Sequence, residues 1–219
     1  MRVILVAVCV AGLLGGCAAG DPEPTPPPVA ETPIETPAPE PTKPPLSELY
    51  LHPDGLGPLV VGEAPPVTDP EVDVAIFDED YCAQEVADGA ISDPGKWVAN
   101  YPDDGTEFPQ LPFAVQVTDG VLTALFTQNP AIHTENGVGV GSTLDALLAE
   151  YPDAVRVSKD FIDLYVITGS TGQLVFEVGK ANSIGYDPDI IALAHVIPID
   201  VEPYSFANSD AGFGGCVSA

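Results

Sequence analysis

Positive charge is what this sequence most lacks: 6 Lys and Arg stand against 33 Asp and Glu in 219 residues, a formal net charge of −27. So few cations cannot neutralise a phosphate backbone, which excludes nucleic acid as a partner. The same imbalance repels the chain from anionic lipid surfaces. Cysteine is scarce too, with 4 residues and no Cys-x-x-Cys pair to support thiol redox work. The three histidines, His52, His133 and His195, have neither the His-x-x-x-His nor the Glu-adjacent spacing of a zinc-binding helix. No Gly-x-Ser-x-Gly occurs, so a serine hydrolase has no support. A single Trp makes an aromatic-lined sugar groove hard to build. Apolar residues are not lacking. At 45% of the chain they are ordinary for a globular protein, so the charge does not signal disorder throughout.

The N-terminus reads as an address. Met1-Arg2 supplies a short positive start, and Val3 to Leu14 is apolar apart from one Gly. Leu14-Gly15-Gly16-Cys17 follows, and the whole has the layout of a secretory signal. A cysteine directly after Leu-Gly-Gly resembles the lipobox of bacterial lipoproteins. That resemblance implies cleavage after Gly16, a diacylglycerol thioether on Cys17 and a mature chain fixed to the outer side of the cell membrane. The competing reading is an uncleaved helix, since Val3 to Gly20 carries no charge and 18 such residues just span a bilayer. The Gly-rich end argues against it.

Residues 17–46 form a lipidated Cys and a tether. From Asp21 to Leu46 the chain holds 11 prolines in 26 residues, interleaved with Thr and Glu. Proline removes donors and fixes φ, so this stretch is expected to be extended polyproline II, spanning roughly 80 Å at full length. A bare spacer fits better than a proline-rich ligand. With Cys9 lost in the signal and Cys17 lipidated, Cys82 and Cys216 remain. In an oxidising compartment two thiols most simply pair, closing a long loop; two free thiols or a catalytic Cys are the alternatives.

Residues 47–219 are long enough for one domain with a core of its own. Two weakly related halves, 47–130 and 131–199, precede a tail at 200–219. Leu51-His52-Pro53-Asp54-Gly55-Leu56-Gly57 leads to Val61-Gly62, as Ile132-His133-Thr134-Glu135-Asn136-Gly137-Val138-Gly139 leads to Val140-Gly141. The second copy runs into a helix, with Ser142 as its expected N-cap and Asp145 three residues on. Leu144, Leu147, Leu148 and Tyr151 share one face, and Pro152 stops it. The first copy has Ala64-Pro65-Pro66 in that place, so its helix is expected to be lost or displaced. Each half then offers a hairpin. Phe113, Val115 and Val117 alternate up to Asp119-Gly120, and Leu122, Ala124 and Phe126 alternate back. Leu164 to Thr168 meets Gln173 to Val178 across Gly169-Ser170-Thr171-Gly172, and a strand at 190–199 follows. The expected class is α+β, an antiparallel sheet with few helices and two degenerate helix-hairpin halves.

Gly-apolar-Gly, Val-Gly-Ser-Thr, a Leu-rich helix ending Tyr151-Pro152 and a hairpin resemble poorly characterised secreted bacterial lipoprotein domains, closely over residues 132–179 and loosely over 51–127. The helix-then-hairpin order, given twice, is also similar in outline to beta-lactamase inhibitor proteins and small outer-membrane assembly lipoproteins. That likeness implies binding of other proteins without an active site. It is a likeness in the order of elements and transfers no contact residues.

Several residues are candidates for chemistry. Gly137-x-Gly139-x-Gly141-Ser142-Thr143 opens a helix, but it lacks the Lys of a P-loop and reads as a structural turn. His52 and His133 hold equivalent places in the repeat, which favours a shared structural role such as bonding a turn carbonyl. Asp78-Glu79-Asp80 and Asp103-Asp104-Gly105-Thr106-Glu107 gather hard oxygens, and make Asp78, Asp80, Asp103, Asp104 and Glu107 the candidates for weak Ca2+ binding. Neither has the alternating ligands of an EF-hand, and surface acidity alone also accounts for them. A carboxylate pair across a cleft would serve a cell-wall hydrolase. Trp97 and Tyr101, in an insert peculiar to the first half, are candidate binding anchors, though a Trp under a long loop more often plugs the core. Residues 47–219 keep four cations (Lys96, Arg156, Lys159, Lys180) against 28 acids, hence −24, so the acidity belongs to the domain itself. The expectation is a lipid-anchored, extracytoplasmic, non-enzymatic module with no cofactor, binding an extracytoplasmic protein or another ligand. A divalent-cation module and a cell-wall hydrolase are the rivals.

Overall fold

The computed structural model describes residues 42–103, 105, 110–207 and 216. Cys17 and the tether up to residue 41, together with Asp104 and Glu107, lie outside the described residues. A small three-stranded sheet comes first: β1 (Leu51–His52), β2 (Gly55–Leu56) and β3 (Leu59–Val60). Next are β4 (Ala75–Asp78), helix α1 (Ala83–Ala87), β5 (Lys96–Ala99), β6 (Ala114–Thr118) and β7 (Val121–Thr127). Helix α2 (Leu144–Glu150) opens the second half, followed by β8 (Val155–Ser158), β9 (Ile162–Thr168), β10 (Gly172–Gly179) and β11 (Ile191–Pro198). The class is α+β, dominated by antiparallel sheet with two short α-helices among the described residues. None of the described helices is long and apolar enough to cross a membrane.

The large sheet has the order β4-β5-β6-β7-β11-β10-β9-β8, antiparallel throughout. Each half supplies a four-strand meander, and the two meet where β7 pairs with β11, Phe126 opposite His195. The hairpin of β6 and β7 turns at Asp119 and Gly120, both with positive φ (52° and 78°), as a type I′ turn requires. The halves differ in their helices. Residues 64–74, where Pro65 and Pro66 stand, contain none; α1 lies instead between β4 and β5 and buries no residue. In the second half Thr143 is the N-cap of α2, its side chain accepting from the Ala146 amide at 3.2 Å. The expected cap Ser142 sits one residue too early and accepts from the Gly139 amide, so it closes the turn before the helix. Of the predicted apolar face, Leu147 is buried and Leu144 and Tyr151 pack on the core, while Leu148 is exposed.

Both faces of the sheet are covered. On one, Leu174, Phe176 and Val178 of β10 join Leu122, Leu125, Phe113 and Leu147, under the small sheet's Leu51, Leu56 and Leu59. On the other, Val175, Ile197, Phe126, Leu164 and Val166 form a second cluster, packed by Tyr204, Phe206 and Ala207 of the C-terminal segment. Every residue of β10 is therefore buried, and its Leu174-Val175-Phe176 stretch is apolar on both faces rather than alternating. The two repeat motifs lie side by side: the Leu51 amide donates to the His133 carbonyl at 3.0 Å, and Leu51 bridges Thr134.

Candidate functional site

Glu177 is the one acid in the Leu174–Val178 stretch, and its side chain points to the face that the C-terminal segment covers. It is fully buried. Its carboxylate accepts three hydrogen bonds from that segment: Ser205 Oγ at 2.6 Å, the Phe206 amide at 2.7 Å and the Ala207 amide at 3.0 Å. Gln173, four residues back on the same face, donates to the carbonyls of Pro198 and Val201, and Tyr186 donates to Ala207 O at 3.1 Å. Residues 198–207 thus form a strap pinned along its length. Beneath it His195, also fully buried, places Nδ1 3.3 Å from Glu177 Oε1. Its ring stacks on Tyr204 (centroids 5.4 Å apart) and lies 5.7 Å from Phe126, which in turn touches Phe206 at 4.4 Å. Burial, then the Glu177 charge, raises the Tyr204 phenol above its ordinary value. Carboxylate, imidazole and phenol are the groups of a proton-transfer site. Here Glu177 and His195 are sealed beneath the strap that carries Tyr204, and the carboxylate acts as the strap's clasp.

A second carboxylate is used in the same way. Asp54, in the β1–β2 turn, accepts from the amides of Ser170 (2.7 Å), Thr171 (2.7 Å) and Gly172 (2.9 Å) and from both hydroxyls of Ser170 and Thr171. Successive amides turned to one point make an anion nest, here filled by the chain's own carboxylate. Burial pushes the Asp54 carboxyl up, but the bonds from Thr171, Gly172 and Ser170 outweigh it and hold the group far below its usual range. Glycine is required on both sides, because a Cβ at Gly169 would lie 2.4 Å from Asp54 Oδ1 and one at Gly172 2.7 Å from Pro53 O. Asp54→Asn should cost about 1–3 kcal/mol at pH 7. A depressed carboxyl contributes above its unfolded value of about 4 and loses that contribution as pH falls toward the folded one. The gap between wild type and variant in urea unfolding should therefore shrink from pH 7 to pH 2; a gap independent of pH would show that the charge plays no part.

Cys82 and Cys216 form a disulfide, with Cα atoms 5.6 Å apart. It joins the start of α1 to the C-terminal tail, so the strap's far end is held covalently. Glu85 completes the one group of potential metal ligands found among the described residues, its oxygen within 4.8 Å of both sulfurs. The bonded sulfurs are not thiolates, so they are not available as metal ligands in this state.

The other candidates fall into local roles. Asp78 accepts from the Asp80 amide at 3.0 Å, and Asp103 from the Gly105 amide at 2.9 Å, each closing its own turn. Trp97 is half-buried on β5 opposite Phe77, its ring 5.9 Å from that ring and packed on the main core. Tyr101 donates to Pro44 O at 2.9 Å while the Lys43 ammonium sits 5.1 Å over its ring, so the end of the proline-rich segment docks there. Its phenol is raised by burial. His52 Nε2 lies 3.1 Å from Gly57 O and His133 Nδ1 2.8 Å from Thr134 O, both bonding carbonyls of their own turns. The glycine-rich stretch is a turn too, with positive φ at Gly137 and Gly141. Sequence reasoning missed Glu177 and Asp54. Glu177 had one signal, an acid inside an apolar strand; Asp54 had none, since its partners lie 116–118 residues away. Comparison with protein-family models, with curated proteins and with solved structures finds no match.

Proposed function

We propose that this chain is a membrane-anchored, extracytoplasmic lipoprotein whose domain is a non-enzymatic binding module. The observation that carries the location is the Cys82–Cys216 disulfide, a bond that persists in oxidising compartments, behind a sequence that begins with a signal and Leu14-Gly15-Gly16-Cys17. A binding role is supported by how the ionisable groups are used. Glu177 is sealed and spent on the strap, His195 is sealed beneath it, Asp54 fills its own nest, and Asp78 and Asp103 close local turns. What remains is an acidic body behind a proline-rich segment, which would hold it off a membrane surface that repels it.

Cells grown with a palmitate analogue should label the full chain, and Cys17→Ser should abolish the label and leave an unprocessed precursor. Unchanged labelling, or unchanged detergent extraction of the unlabelled variant, would reject the anchor. Surface crosslinking of the full chain on intact cells should give a discrete band of higher mass. Its absence at saturating crosslinker would sink the binding role.

A further inference from the structure

We infer that the open edge of β8 is the docking surface, and that it takes an extended, basic segment of a partner protein by strand addition. This rests on the binding role proposed above and specifies where and what the module binds. Strand β8 ends the large sheet, and among the described residues no strand pairs with its outer side. The Lys159 amide bonds inward to Ile162 O, so in an antiparallel ladder Val157 and Val155 also bond inward. The amides and carbonyls of Arg156 and Ser158 consequently face outward, ready for a further strand.

Exposed edges are normally guarded. The other edge, β4, runs directly into three carboxylates, Asp78, Glu79 and Asp80. Both edges carry exposed apolar side chains, Phe77 on β4 among them, but β8 has no carboxylate on the strand itself. Val155 is 59% exposed on the strand, Phe161 45% in the turn that follows, and Ile184 84% in the neighbouring loop, where Ser183 Oγ bonds Phe161 O. Its one cation on the strand, Arg156, is turned to Asp163 at 2.6 Å, and Lys180 is held by Asp163, Ser158 Oγ and the Lys159 carbonyl. These bonds pair Arg156 and Lys180 with Asp163, and Lys159, the remaining cation at this edge, stands beside Asp160.

A cavity of about 370 Å³ opens at the start of the strand, with Tyr151, Val155, Val166 and Ile167 in its wall. Glu150 and Asp153 line it; the Asn136 side-chain amide donates to Glu150 Oε1, and Asp153 has no side-chain partner among the described residues. An apolar wall with an unpartnered carboxylate suits an ammonium or guanidinium on an aliphatic stem. The occupant is therefore an extended segment with apolar residues for the Val155–Ile184 stripe and a Lys or Arg for the cavity. Charge argues against a second copy of the chain, since each domain carries −24.

Amide hydrogen exchange on the full chain in neutral detergent, at about 0.15 M salt to screen long-range attraction, tests this. The probes are two synthetic peptides, Thr-Lys-Val-Lys-Val-Lys-Thr and the same with Glu for Lys. The Lys peptide should slow exchange at Arg156 and Ser158 at least tenfold, and the Glu peptide should not. Asp153→Lys should abolish the effect, and so should Ser158→Pro, which removes an outward amide; unchanged exchange in β10 certifies both folds. Protection only elsewhere, as over residues 69–93, would reject this site and leave the binding role standing. Equal protection by both peptides would reject the charge selection. Slow exchange at Arg156 and Ser158 before any peptide is added would mean that the chain itself or a second copy covers the edge, and would overturn the proposal. No protection by either peptide would reject the site too, and the binding role would then rest on the crosslinking result.

Discussion

Serine at Cys82 or Cys216 should lower the free energy of unfolding by about 4–5 kcal/mol, because the bridge closes a loop with a sequence separation of 134. In the chain-entropy account that cost falls on the unfolded state, which regains the freedom the crosslink removed. The loop runs from α1 through β11 and includes most of the large sheet, so nearly all of the domain's unfolded conformations are affected. Chemical denaturation of wild type with and without a dithiol reductant, beside both single variants and the double variant, gives the measurement. The four reduced or substituted samples should share one midpoint. A loss below about 1 kcal/mol would mean that the strap's own contacts already keep the unfolded chain compact.

Glu177→Ala should cost about 3–5 kcal/mol, the range for removing one partner from a buried charged network. Three donors of the strap lose their acceptor at once, and His195 loses its carboxylate neighbour. Glu177→Gln keeps the shape and one acceptor oxygen, so it should lose less, although its amide group then faces the strap's own N–H groups. Two readouts separate this from generic core damage. Limited proteolysis should cut near Tyr204 and Phe206 in the Ala variant before any global unfolding. Its effect should also be non-additive with Cys216→Ser, because both changes free the same segment. A variant that unfolds at the wild-type midpoint, with the strap still protected, would reject the clasp.

Legibility followed distance along the chain. The hairpin of β6 and β7 was readable because alternating Val115, Val117, Leu122, Ala124 and the Asp119-Gly120 turn all act within a dozen residues. Helix α2 was readable from its Leu spacing, while its cap moved from Ser142 to Thr143 because Gly139 claims the Ser142 oxygen. β4, β5 and β8 were not readable. Each has four residues, too short for a period, and β4 and β5 are defined by each other, with Phe77 set opposite Trp97. The repeat motifs were visible as patterns, but not their contact through Leu51 and His133.

The sequence by itself determined the class, the two hairpins, the helix before the second of them and the acidity of the domain, and it made Cys82 with Cys216 the simplest pairing, which the structure shows. Those follow from local periodicity, turn chemistry and counting. Tertiary structure alone decided what the carboxylates do. Glu177 reaches residues 28–30 positions ahead and Asp54 reaches 116–118 ahead, across strands that adjoin only once the sheet has closed. A hydrogen bond over such separations leaves no local pattern, so nothing in the sequence pairs Glu177 and Asp54, two of its 33 acids, with their donors. The physical reason is desolvation: a buried carboxylate persists only where converging donors replace its water, and only the folded chain brings those donors together.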